Sequence, residues 1–196
     1  AALALGVSAQ QYVVKGKATP GQSVVYYRNL QSNNVDSVKV GKDGTFTLQG
    51  DAQQQPFLQL SEQRDLNNSL VAVLDGTVTV DLPTSTVSGT TENALLNNTQ
   101  WVVAKKVPGI IALVSQLKQY QAEGKVGTPE FKALADQYEQ AVTEVGALVK
   151  KSLKDHPEAV SNAPLFYLYG SLLDEEEIQA LIASKAACFS TPLLQP

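Results

Sequence analysis

The chain has 196 residues, of which 43% are apolar and 17% are charged. This length is sufficient for one or two small globular domains with a buried core. The 15 basic residues form no cluster and are outnumbered by 19 acidic residues, which argues against a nucleic-acid-binding surface. No apolar run in the sequence reaches the roughly 18–20 residues that a membrane-spanning helix requires.

The first nine residues, AALALGVSA, are uncharged and mostly small or apolar. Val7-Ser8-Ala9 has the small-x-small pattern of a signal-peptidase site, which would place cleavage before Gln10. We interpret residues 1–9 as the remnant of an export signal; the alternative is an arbitrary starting point of the chain. Export predicts a location in the periplasm or cell envelope.

Residues 10–89 form the first predicted domain, because they contain short runs rich in β-branched residues that are separated by turn residues. No helical pattern intervenes, so these runs predict an antiparallel β-sandwich or a partly open barrel. The predicted strands are 12–18, 22–28, 35–40, 45–49, 56–61, 69–74, 77–82 and 85–88.

The stretch VKVGKDGTFTLQG, residues 38–50, predicts a β-hairpin with one buried face. Apolar and polar residues alternate on both sides of Asp43-Gly44. Asp-Gly suits a tight turn because glycine tolerates positive φ angles. Asp75-Gly76 predicts a second turn of the same kind.

Residues 90–185 form the second predicted domain, in which apolar residues recur at helical spacing. Thr90 or Thr91 can cap the first helix, and Pro108 is expected to kink or break it. Thr128-Pro129 predicts the start of a second long helix, which Pro157 ends. Two long helices joined by a short loop predict an antiparallel helical hairpin. The fold class expected from the sequence is therefore α+β, with segregated strands and helices.

Two shorter helices are predicted after the hairpin, one over about 164–173 and one capped by Asp174, with Glu177 completing a capping-box pattern. Residues 186–196 contain two prolines and are predicted to be a linker. Because the hairpin carries apolar residues on several faces, we also expect it to form a homodimer.

No residue is predicted to be catalytic, to bind a cofactor or to ligate a metal, and no cofactor is expected. His156 is the sole histidine and lies at a predicted helix end, where a structural role is expected. A hydrolase built on serine and His156 would lack a nucleophile-elbow pattern. Acidic residues 174–177 suit the first turn of a helix better than a cation site.

Cys188 is the sole cysteine, so neither an internal disulfide nor a Cys-x-x-Cys redox pair can form within the sequence. It can be a small buried residue, pair with another chain or act as a reactive thiol. No Lys, Arg or His within two residues lowers the pKa of this thiol, which favours the buried residue. We expect no enzymatic activity from this chain.

The order of several motifs resembles an N-terminal β-module with following helices from exported proteins of Gram-negative gut bacteria. The resemblance covers roughly residues 11–185. It rests on YVVKGKA (12–18), GQSVVYYR (21–28), VDSVKVGKDGTFTLQGD (35–51), VAVLDGTVTVDL (71–82), TVSGTTENALL (86–96) and LKDHPEAVSNAPLFYLYGSLLDEEEIQALI (153–182).

In that family the module precedes a thioredoxin-like domain of the TlpA-like thiol–disulfide oxidoreductase type, which carries the catalytic Cys-x-x-Cys. This sequence lacks the pair, so no catalytic position is transferred to it. The resemblance implies a non-catalytic accessory module, serving dimerisation or partner positioning, with residues 186–196 leading towards a missing enzyme domain. The alternative is a stand-alone envelope protein that binds a ligand or acts as an adhesin.

Overall fold

The structure is a computed structural model that describes residues 11–52 and 55–195. The chain divides into two compact units, of which the first ends at Asn97 and the second begins at Asn98. The first is built on strands and the second on helices, which confirms the α+β fold class. Residues 1–9, interpreted from the sequence as a signal remnant, lie outside the described residues.

The first unit contains two four-stranded sheets, with strand orders β4-β1-β7-β8 and β3-β2-β5-β6. All neighbouring strands are antiparallel except β1 and β7, which are parallel. Side chains from both sheets, such as Val14 and Leu60, form one buried core. The strands are β1 (Gln11–Lys17), β2 (Val24–Asn29), β3 (Asp36–Lys39), β4 (Thr45–Asp51), β5 (Phe57–Ser61), β6 (Leu70–Val73), β7 (Thr77–Asp81) and β8 (Thr86–Ser88).

The predicted hairpin over residues 38–50 is wrong, because β3 and β4 belong to different sheets. The turn itself forms as expected: Gly44 has φ 79°, and Asp43 Oδ1 accepts hydrogen bonds from both the backbone N and the hydroxyl of Thr45. Asp75-Gly76 likewise connects a strand of one sheet to a strand of the other. Asp-Gly reverses the chain locally, but the core decides which strand the next segment pairs with.

Two glycines of the first sheet are each covered by an aromatic ring from the neighbouring strand. Gly16 is paired with Phe46, and a Cβ added at Gly16 would overlap the buried Phe46 ring. Gly50 is paired with Tyr12, whose hydroxyl would lie 3.3 Å from an added Cβ. The absence of a side chain on each glycine leaves room for the ring to lie across the strand.

The start of the first helix, α1 (Thr91–Ala122), belongs to the first unit and binds edge strands of both sheets. Asn93 is fully buried; its Oδ1 accepts from Val73 N, and its Nδ2 donates to Val73 O, each at 2.8 Å. Asn97 Oδ1 accepts from Val87 N at 2.8 Å. These amides satisfy backbone groups at the free sides of β6 and β8. The first unit therefore extends past residue 89, the end expected from the sequence.

The second unit contains the rest of α1, then α2 (Pro129–Asp155), α3 (Asn162–Tyr169) and α4 (Glu175–Ala183). Thr128 caps α2 as predicted, with its hydroxyl accepting from Phe131 N. Pro108 lies inside α1 without ending it, although it donates no backbone hydrogen bond. The prediction that Pro108 breaks the helix is therefore wrong, whereas the alternative, a kink, stays a prediction.

Residues 104–144 of α1, the connecting loop and α2 form a helical hairpin that we call the arm. Lys106 Nζ contacts Glu144 Oε2 at 2.6 Å, which joins the two helices far from the loop. No residue of the arm is buried, whereas Val145, Val149 and Leu153 of α2 are. Each helix of the arm is covered only by the other helix, along one side. Its apolar side chains are therefore at most partly buried.

The last part of the second unit is packed rather than extended. Asp174 and Glu177 form the predicted capping box at the start of α4. Beyond α4, Ala186, Cys188 and Leu193 are buried, and the ring of Phe189 contacts that of Phe166 edge-on at 5.0 Å. Residues 186–195, which the sequence suggests as a linker, are therefore part of this unit as far as the structure describes them.

Candidate functional site

The thiol of Cys188 is placed for packing rather than for reaction. It is 0% exposed, and burial raises its pKa from the ordinary value of 9.0 to about 11. The reactive form of cysteine is the thiolate, so a raised pKa suppresses attack on a disulfide at neutral pH. Of the roles left open by the sequence, the structure favours the small buried residue.

His156 occupies the C-cap of α2, the helix end that the sequence predicts for it. Its Nδ1 lies 3.6 Å from Glu158 Oε1, and its backbone O accepts from the buried Asn162 side chain at 2.8 Å. Within residues 11–52 and 55–195, no three His, Cys, Asp or Glu side chains are grouped as a metal site would require. The contacts of His156 are those of a residue that ends a helix.

A polar cleft lies in the first unit, at the end where β1, β3 and β5 begin and β2, β4 and β6 end. Its volume is about 310 Å³. Three buried apolar residues, Ala52, Leu58 and Leu74, contribute to its lining. The remaining lining residues are Tyr12, Tyr27, Arg28, Asn29, Ser32, Asn34, Asp36, Asp51 and Gln55.

Tyr12 and Tyr27 come from different sheets, and both pack partly against the core. Tyr12 shares a strand face with Val14, and Tyr27 shares one with Val25, so each tyrosine extends a buried row to the end of its sheet. Burial raises the pKa of both phenols, and the nearby Asp36 carboxylate adds to the increase for Tyr27. Both hydroxyls therefore stay protonated at neutral pH, able to donate and accept hydrogen bonds.

Two polar contacts fix the edge of the cleft. Arg28 Nε donates to Gln59 Oε1 at 2.8 Å, and the buried Gln59 in turn donates to Ser69 Oγ at 2.6 Å. Asn29 Nδ2 donates to Gln55 O at 2.6 Å, which ties β2 to the segment before β5. These bonds restrict the guanidinium and the nearby backbone before any ligand arrives.

No motif in the sequence predicts this cleft. Its residues come from five strands and their connections, and no spacing along the chain brings them together. The Tyr26-Tyr27 pair was the available signal, because alternation directs one of two adjacent strand tyrosines inward.

The first unit thus defines a two-sheet β domain closed by the beginning of a helix. Its residues 12–96 match a family described as a domain of unknown function, DUF4369. The matched range ends one residue before the boundary of the unit, so the match covers the β domain together with the Asn93 turn of α1. No curated protein and no solved structure matches the chain.

Across the part of the chain that the structure describes, no helix has both the length and the apolar character needed to cross a bilayer.

Proposed function

We propose that this chain is a non-catalytic accessory module of an exported thiol–disulfide oxidoreductase, located in the periplasm or cell envelope. The motif resemblance supports the proposal, and the DUF4369 match covers the β segment on which much of that resemblance rests. In this proposal the reacting thiols belong to a thioredoxin-like domain, and Cys188 takes no part. The module itself serves association.

The proposed role in association rests on the exposed apolar side chains of the arm. Ile111 is 57% exposed and Val126 is 53% exposed, while the other large apolar side chains of residues 104–144 are half-buried. An apolar surface that its own unit leaves uncovered is a candidate for a protein–protein contact. The arm therefore offers a surface that a second layer of helices can cover.

The charges of the arm favour a second copy of the chain as the partner. Its α1 half has three basic residues and no acidic residue, whereas its α2 half has four acidic residues and one lysine. Lys106 and Glu144 already pair within one arm. In a two-fold dimer, the other basic residues of one arm can face the other acidic residues of its partner. The charged residues are Lys105, Lys106 and Lys118 on α1, and Glu130, Lys132, Asp136, Glu139 and Glu144 on α2.

Reduction of insulin by a small thiol tests the non-catalytic role. We expect the chain and its Cys188→Ser variant to give the uncatalysed rate of turbidity, because the thiol is buried and unpaired within the sequence. A form of the chain followed by a Cys-x-x-Cys domain should give a faster rate. Catalysis by the chain that disappears in Cys188→Ser would refute the accessory role.

Sedimentation equilibrium tests the association role. The chain should sediment as a dimer at micromolar concentration and dissociate as salt is raised, because complementary surface charges are screened. A monomer at every concentration up to hundreds of micromolar would contradict dimerisation through the arm. Release of the protein from cells by osmotic shock would check the proposed location.

The polar cleft favours a second candidate, a ligand-binding protein of the cell envelope. A concave surface with convergent polar groups and some apolar side chains is a feature of small-molecule sites. Binding of a small molecule by the first unit is compatible with association through the arm. The two functions are separable, because the residues that carry them lie in different units.

A further inference from the structure

The polar cleft has the size of a site for one small molecule. Its volume of about 310 Å³ lies at the lower end of the roughly 300–1,000 Å³ range of such sites. The bonds from Arg28 to Gln59 and from Asn29 to Gln55 hold its edge in place. A preformed site loses little conformational entropy on binding, and this increases its affinity for a ligand that fits.

Most polar groups that line the cleft are neutral and can both donate and accept hydrogen bonds. They are two phenols, one hydroxyl and three primary amides, contributed by Tyr12, Tyr27, Ser32, Asn29, Asn34 and Gln55. Such a lining matches a ligand whose own groups donate and accept at many positions. Hydroxyl groups on a small ring have this property.

The charged residues of the cleft do not favour an ion of either sign. Arg28 contributes one positive charge, and Asp36 and Asp51 contribute two negative charges. An anion would approach two carboxylates and a cation would approach the guanidinium, and each would also lose hydration on entry. A neutral ligand avoids both costs and can hydrogen-bond to the two carboxylates, whereas Arg28 Nε is already held by Gln59.

The apolar side chains of the cleft set a second requirement, which is that the ligand also presents C–H groups. The two tyrosine rings and the side chains of Leu58 and Leu74 provide surfaces for C–H groups, while the phenol hydroxyls remain available for hydrogen bonds. A ring that carries hydroxyls on its edge and C–H groups on its faces meets both requirements.

We infer that the polar cleft binds a neutral polyhydroxylated ring of the monosaccharide class. This inference rests on the ligand-binding candidate of the proposed function and names its ligand chemistry. It does not depend on the arm or on dimerisation.

Saturation-transfer NMR on the chain tests the inference. The neutral probes are D-glucose, D-galactose, D-mannose and N-acetyl-D-glucosamine, and the charged probes are glycylglycine and succinate. We expect transfer to at least one neutral sugar, with a dissociation constant on the order of millimolar. Tyr27→Phe should weaken that binding about five-fold, the effect of one lost hydrogen bond.

Each cleft variant has a control on its own strand. Tyr26→Phe changes the adjacent tyrosine, which does not line the cleft, and should leave binding unchanged. Asp36→Ala should weaken binding, whereas Lys39→Ala on the same strand should not. Asp36 is exposed, so its replacement keeps the test valid even if Tyr27→Phe unfolds the unit. Circular dichroism verifies folding of each variant.

The outcomes separate the inference from the candidate on which it rests. Sugar binding that is lost in the cleft variants and kept in the controls supports both. Transfer to glycylglycine or succinate in place of the sugars overturns the saccharide inference and keeps the ligand-binding candidate. No transfer to any probe overturns both, and sugar binding that no cleft variant weakens overturns the assignment to this cleft.

Discussion

The β domain and the arm both contain many apolar residues but bury them very differently. Every residue of β5 and β6 is buried, whereas no residue of the arm is. A strand inside a sheet can be covered on both faces, while a helix in a two-helix layer is covered along one stripe. The β domain is therefore stabilised by its own buried core, whereas the arm is available for contacts with other molecules.

The largest effect is expected from Asn93→Ala. The variant leaves Val73 N and Val73 O without their side-chain partner in a buried place, and it should lower the free energy of unfolding by about 3 kcal/mol. Urea denaturation followed by circular dichroism measures the change. Asn97→Ala is the control: it removes one half-buried bond and should cost about 1 kcal/mol. Equal effects of the two variants would contradict the central role given to Asn93.

Gly16→Ala should destabilise the β domain by about 2 kcal/mol, because the new methyl overlaps the Phe46 ring in a packed core. The double variant with Phe46→Leu should recover part of the loss, as the smaller side chain makes room. Thermal denaturation compares the variants. Gly109→Ala, where an added Cβ meets no atom within 4 Å, serves as the control and should be neutral or stabilising. Lack of recovery in the double variant would argue against an overlap.

Cys188 should make the second unit less stable at high pH. Its folded pKa of about 11 exceeds the ordinary value of 9.0, so the folded state retains a proton that the unfolded state releases between these values. The free energy of unfolding falls as pH rises through this window, by at most about 1.4 kcal/mol per pH unit. Urea titrations at pH 8 and 10, followed by the fluorescence of the single tryptophan, Trp101, measure it. In Cys188→Ala, the free energy of unfolding should fall less between the two pH values. An identical fall in the variant would show that titration of Cys188 is not the cause.

The smallest effect on stability is expected from Ile111→Lys on the arm. The residue is mostly exposed, so the free energy of unfolding should change by less than about 0.5 kcal/mol. If the arm forms the dimer interface, the same change should shift sedimentation towards the monomer. Lys42→Ala, on an exposed turn of the β domain, should alter neither property. A variant that remains dimeric would place the interface elsewhere.

Local signals predicted the elements of the fold well. Thr128, Asp174 and Glu177 cap the helices as their spacing predicts, because a cap depends on groups within one turn. The Asp43-Gly44 turn also forms, but its prediction as a hairpin is wrong. Strand pairing depends on long-range packing, which a turn of four residues does not encode.

The sequence could not reveal the cleft or the packed tail for the same reason. Tyr12 and Tyr27 are brought together by two sheets, and no repeat or motif connects them. The sequence predicts that Phe189 belongs to a linker, because Pro192 and Pro196 follow it nearby. Its contact with Phe166 shows that a hydrophobic partner elsewhere in the unit decides whether such a stretch is packed.

The position of β1 between β4 and β7 has a consequence for how the chain folds. β1 completes its hydrogen bonding only after both neighbouring strands, β4 and β7, are in place. Its parallel pairing with β7 joins residues that are far apart in the sequence, such as Val13 and Thr77. Contacts of such high sequence separation slow folding, because a long loop must close before they form. Both edges of β1 stay unpaired during that time and can bind other extended chains. For a chain that crosses a membrane after synthesis, as the proposed export requires, slow closure would help to keep it unfolded until transport is complete.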